Sequence, residues 1–129
     1  MKMKVASLVS TAILAFSAVV SANGGDRQEV HLHEDQYFVK SDTVNVQDQG
    51  TIEINMHNQS GWSTHPRVVR YKVLHTDDQG DTSAVADGYV RLNESKSFQK
   101  KVGKGKYSLQ LVCERQVYGC NATGTIEKK

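Results

Sequence analysis

Proline, tryptophan and cysteine are scarce in this 129-residue chain, which has one, one and two of them respectively. With a single proline there is no Pro-rich linker, and no low-complexity tract or internal repeat divides the sequence. Two cysteines cannot replace a hydrophobic core as the main source of stability, so the chain must build one. No window of the sequence carries a convincing 3.6-residue apolar period, which argues against helices, and Ser83–Asp87 is read as one helical turn at most. The Gly-x-Ser-x-Gly, His-Glu-x-x-His and phosphate-loop patterns are all missing, so no recognisable catalytic or cofactor motif is present.

A net charge is also missing once the N-terminus is set aside. Lys2 and Lys4 precede the apolar run Val5–Val20, and Val20-Ser21-Ala22 supplies small residues at −3 and −1. This is the pattern of a secretory signal peptide over residues 1–22, cleaved before Asn23, with a single domain over residues 23–129. The apolar run is short for a membrane span and no stop-transfer pattern follows, so no stable membrane insertion is expected. Without Lys2 and Lys4 the domain holds 14 basic and 14 acidic residues. That balance gives no general electrostatic case for nucleic acid as a partner.

The charges are unevenly placed along the chain. Residues 23–90 carry eleven acids against five bases, and residues 91–129 carry nine bases against three acids. Two arrangements account for this. Either the halves interleave so that opposite charges meet on neighbouring strands, or Lys96, Lys100, Lys101, Lys104 and Lys106 gather into a basic patch.

The sequence is rich in alternation at period two. Ile52, Ile54 and Met56 fall on one face of their segment, with Thr51, Glu53, Asn55 and His57 on the other. Val30 and Leu32 alternate with Glu29, His31 and His33, and Val69, Tyr71 and Val73 with Arg70, Lys72 and Leu74. Tyr107, Leu109, Leu111 and Cys113 share a further face. Turn clusters such as Asp48-Gln49-Gly50, Asp77–Asp81 and Gly103-Lys104-Gly105 separate these runs. The expected fold is all-β, an antiparallel β-sandwich of roughly seven to nine strands.

Cys113 and Cys120 form the natural disulfide of an exported chain, closing the loop Glu114–Gly119. With Gly105-Lys106-Tyr107 feeding a long inner strand and Gly124–Glu127 returning, the C-terminal third is similar to the final hairpin of immunoglobulin-like sandwiches. There, a tyrosine often anchors the turn before that strand. The resemblance is to an architecture and implies no activity.

Two groups of residues suggest binding. Glu29, His31 and His33 recur at i, i+2 and i+4, the spacing that lets side chains on one strand face converge on a metal ion, and His57 joins them if its strand lies alongside. Gly61-Trp62-Ser63-Thr64-His65-Pro66 sets the only Trp, the only Pro and a His in one loop, which makes Trp62 and His65 candidate partner contacts. Asn58, Asn93 and Asn121 each begin a glycosylation sequon. The reading is a secreted or periplasmic, non-catalytic module without a cofactor that recognises a protein or surface polymer in a defence, adhesion or inhibitor role. The alternatives are a metal-binding module using His31 and His33, and a small secreted hydrolase.

Overall fold

A computed structural model describes residues 26–59, 67–116 and 118–129. Residues 1–25, with the expected signal peptide, and residues 60–66, with Trp62 and His65, lie outside the described residues. Nine strands follow one another: β1 Arg27–Leu32, β2 Phe38–Lys40, β3 Val44–Val46, β4 Gly50–Asn58, β5 Val69–Thr76, β6 Thr82–Val90, β7 Ser95–Val102, β8 Gly105–Cys113 and β9 Ala122–Lys128. A short 3₁₀ turn at Glu114–Gln116 is the only helical element among the described residues. All strand pairs are antiparallel, in one sheet of order β1-β9-β4-β7 and a second of order β2-β8-β5-β6, with β3 also pairing with β8. The β-sandwich expected from the alternation is therefore the fold.

The core follows the period-two pattern. Ile52, Ile54 and Met56 of β4 and Ile126 of β9 meet Val69, Tyr71 and Val73 of β5 and Leu109 and Leu111 of β8, all buried. Apolar burial of this kind supplies most of the driving force for a domain of this size. On the side where β7 and β6 end their sheets, the Tyr71 ring packs on Phe98 of β7 with centroids 5.8 Å apart. Gly88 lies opposite Tyr71 on β6, where a Cβ would come within 2.8 Å of that ring, so the tyrosine occupies the space a side chain would need. Burial, and then the nearby Asp87 carboxylate, raise the Tyr71 phenol above its ordinary value.

Two local devices shape the second sheet. β2 and β3 are halves of one edge strand, interrupted at Ser41. The buried Ser41 hydroxyl accepts the Leu109 N–H at 3.0 Å, while its own N–H donates to the Leu109 carbonyl at 2.9 Å. At the start of β8, Tyr107 Oη donates to the Gly103 carbonyl at 2.8 Å, the tyrosine anchor expected of this turn. Gly105 follows that turn with φ +148°, and its missing Cβ leaves room for the His75 ring, which packs on Tyr107 at 4.9 Å.

Residues 83–87 depart from the sequence-based reading, since they form part of β6 and not a helical turn. The apolar alternation there is blurred for two reasons. β6 is an edge strand, and its register against β5 shifts between Val73 and Leu74, so one β6 residue goes unmatched.

Three of the five ion pairs among the described residues join the two halves of the chain. Asp26 meets Lys128 at 3.3 Å, Glu53 meets Lys129 at 3.3 Å and Asp78 meets Lys104 at 3.5 Å. The five lysines of the alternative basic patch do not share a face. Lys96 and Lys100 are half-buried on one side of β7, Lys101 is exposed on the other, and Lys106 belongs to the opposite sheet. Glu53 also accepts a hydrogen bond from Gln99. That bond first, and then Lys129, hold its carboxyl below the usual carboxylate range, so its small contribution is present at neutral pH and fades as the pH falls through the lowered value.

Candidate functional site

The loops β1–β2, β4–β5, β6–β7 and β8–β9 all emerge at one end of the sandwich, because Leu32, Asn58, Val90 and Cys113 end their strands there. Backbone bonds tie these loops to one another. Gly119 N–H donates to the Glu34 carbonyl at 3.0 Å, Cys113 N–H to Tyr37 at 2.7 Å, Glu114 N–H to Val68 at 2.8 Å and Gln59 N–H to Asn121 at 2.8 Å. Asn58 is fully buried, and its Nδ2 donates to the Arg67 and Val90 carbonyls at 2.8 and 2.9 Å. That side chain is a structural strut, inaccessible for glycosylation in the folded protein. Cys113 and Cys120 are joined and fully buried, so the disulfide expected from the sequence closes the β8–β9 loop at this end.

An aromatic surface grows out of this braced end. Strand register places Phe38 of β2 opposite Val112 of β8, Val112 opposite Arg70 of β5, and Arg70 opposite Tyr89 of β6. Phe38 precedes the inward-facing Val39, and the other three lie between inward-facing neighbours (Leu111 and Cys113, Val69 and Tyr71, Gly88 and Val90), so all four point outward from the second sheet. At about 4.8 Å per strand the row spans roughly 14 Å. Tyr37 extends it at the Phe38 end, with ring centroids 5.2 Å apart, and Tyr118 from the disulfide-closed loop meets Tyr37 edge-on at 6.0 Å. At the other end the Arg70 guanidinium lies 6.0 Å from the Tyr89 ring centroid, within cation–π range, and 3.3 Å from Asp87. Phe38 and Tyr89 are each 47% exposed, Tyr37 38% and Tyr118 59%, and these are the exposed large hydrophobic side chains of the described residues. Two strand positions along, about 7 Å away, Lys40, Gln110, Lys72 and Asp87 form a parallel polar row.

The sequence-based metal candidates lie elsewhere, on and beside the first sheet. The His31 and His33 rings meet at a tilt of 43° with centroids 3.8 Å apart, and His31 Nε2 lies 2.8 Å from Asn121 Oδ1. Glu29 is engaged with Arg27 at 2.9 Å. β9 runs between β1 and β4, so Thr123 separates His31 from His57, whose Nδ1 lies 2.8 Å from Ser95 Oγ. Among the described residues, no three His, Cys, Asp or Glu side chains group in a way that could hold a metal ion. No described helix is long and apolar enough to cross a membrane.

No protein-family model matches the sequence, and no curated protein matches it. Solved structures do resemble the fold. The pre-peptidase C-terminal domain of a Bacillus anthracis collagenase aligns over 81% of this chain and 89% of its own, at 19% identity and a TM-score of 0.50. A Sulfurospirillum deleyianum protein, GEBA250068378, aligns over 81% of this chain and 98% of its own, at 10% identity and a TM-score of 0.49. The CBM22-1 xylan-binding domain of Paenibacillus barcinonensis Xyn10C covers 70% of this chain and 71% of its own, at 13% identity and a TM-score of 0.42. At such identities the likeness is one of fold, that of a small all-β domain.

Proposed function

We propose that this protein is an exported, non-catalytic binding module that recognises a macromolecular partner through the row Phe38–Val112–Arg70–Tyr89 and the adjoining Tyr37 and Tyr118. The observation that carries this reading is the outward, in-register alignment of those four residues across four strands. Large apolar rings left in water at one place are costly to solubility unless something covers them. Tyrosine and arginine together are the residue types most enriched where binding energy concentrates. The N-terminal pattern of residues 1–22 and the Cys113–Cys120 disulfide support export. Trp62 and His65 belong to the same proposal, since the residues that flank their loop, Gln59 and Val68, are anchored at the end that carries Tyr118. Adhesion, defence and inhibition are the roles that suit such a module.

The test is capture by the tagged protein from surfaces and extracts of its own source. The expected result is a partner retained by the unmutated protein and lost with Phe38→Ala/Tyr89→Ala. Undiminished capture by that variant refutes the assignment of the row.

A further inference from the structure

We infer that the partner is an acidic polysaccharide, bound as an extended chain lying across the strands along the aromatic row; this rests on the binding-module reading above. The shape of the surface argues for a chain ligand. The apolar strip is one residue wide and about 14 Å long, and it lies on the outer face of a sheet. A stable protein–protein contact instead needs roughly 800 Å² per partner, with charge depleted at its centre. Here Lys40, Lys72 and Asp87, of residue types depleted at such contacts, border the strip directly. A pyranose ring offers a flat face of C–H groups and a rim of oxygen atoms. The C–H faces fit Phe38 and Tyr89, while the rim falls over Arg70, Gln110 and Asp87.

The charge of the neighbouring row argues for acidic sugars. Arg70 is neutralised by Asp87, but neither Lys40 nor Lys72 has an ion-pair partner among the described residues. They stand two strands apart on the same outward face, about 9–10 Å from each other, with Gln110 between them. Two unpaired ammonium groups beside a row of rings suit carboxylates carried at intervals along a chain whose sugar faces lie on those rings. Each such contact is a charge-assisted hydrogen bond.

The experiment is affinity electrophoresis of the intact protein through gels containing polygalacturonate, alginate or hyaluronate, with neutral hydroxyethyl cellulose as the comparison. The acidic polymers should retard the protein, with at least one of them binding about tenfold or more tighter than hydroxyethyl cellulose. Phe38→Ala/Tyr89→Ala should weaken that binding about tenfold at low and at half-molar salt. Lys40→Gln/Lys72→Gln should weaken it at low salt and flatten its salt dependence. Circular dichroism confirms that each variant is folded. Failure of all three acidic polymers to retard the protein overturns the inference, as does equal retardation by the neutral polymer or undiminished binding by the aromatic variant. If capture from extracts still requires Phe38 and Tyr89 and is abolished by protease treatment of the extract, the partner is a protein. The binding-module reading then survives and only the polysaccharide falls. If capture does not depend on those residues either, both readings fall together.

Discussion

Ile54→Asp is expected to unfold this protein, whereas Glu53→Lys, one residue away, is expected to leave it folded. Ile54 is fully buried at the middle of β4, between Phe98 of β7 and Ile126 of β9. Its direct cross-strand partners, Phe98 and Ile126, are both apolar, so a carboxylate there is either a poorly compensated buried charge or is forced to take up a proton. Either costs several kcal/mol, comparable with the whole stability of a typical domain of this size. Glu53 lies on the opposite, solvent face, where it touches Gln99 and Lys129. Reversing its charge removes only surface contacts and should shift the unfolding midpoint little. Urea unfolding followed by circular dichroism checks both, with a β-rich spectrum retained only for Glu53→Lys. Similar midpoints for the two variants are incompatible with the face assignment of β4.

Loss of the disulfide has the next largest expected effect. The Cys113–Cys120 bridge closes a loop of eight residues, which corresponds to about 2–3 kcal/mol of chain-entropy stabilisation. Cys113→Ala/Cys120→Ala should lower the urea midpoint accordingly. It should also raise amide exchange around Tyr118 and Gly119, because the bridge and the Gly119–Glu34 hydrogen bond together brace that loop. An unchanged midpoint shows that the loop is held by its other contacts alone.

The strands whose two faces differ sharply were legible in the sequence. Ile52, Ile54 and Met56 against Glu53, Asn55 and His57 is a pattern that burial alone imposes, and β4 follows it. β6 was obscured because a register shift falls within an edge strand, where alternation is weakly enforced. The paired cysteines and the Tyr107 anchor are local in sequence, and both were readable. The aromatic row was not. Phe38, Val112, Arg70 and Tyr89 are far apart in the chain and become neighbours only through the order β2-β8-β5-β6, which alternation does not encode. The tandem Tyr37-Phe38 was its one local trace, two successive large rings where β2 begins that are both left partly exposed. The exchange of charge between the halves was readable as a tendency, but its pairs, such as Glu53 with Lys129, depend on the same unencoded strand order.

Tyr89 and Val90 are adjacent residues on opposite faces of β6, and substituting each by alanine tests most directly whether the aromatic row is a surface kept for binding. Tyr89 is 47% exposed and Val90 is 1% exposed. Tyr89→Ala should leave the urea midpoint within the scatter of surface substitutions, about 0.5 kcal/mol, and should sharply reduce capture of the partner. Val90→Ala should lower stability by about 1–3 kcal/mol through the cavity it opens, and folded Val90→Ala protein should still capture. The opposite pattern, with Tyr89→Ala destabilised like a core variant and capture intact, contradicts the account.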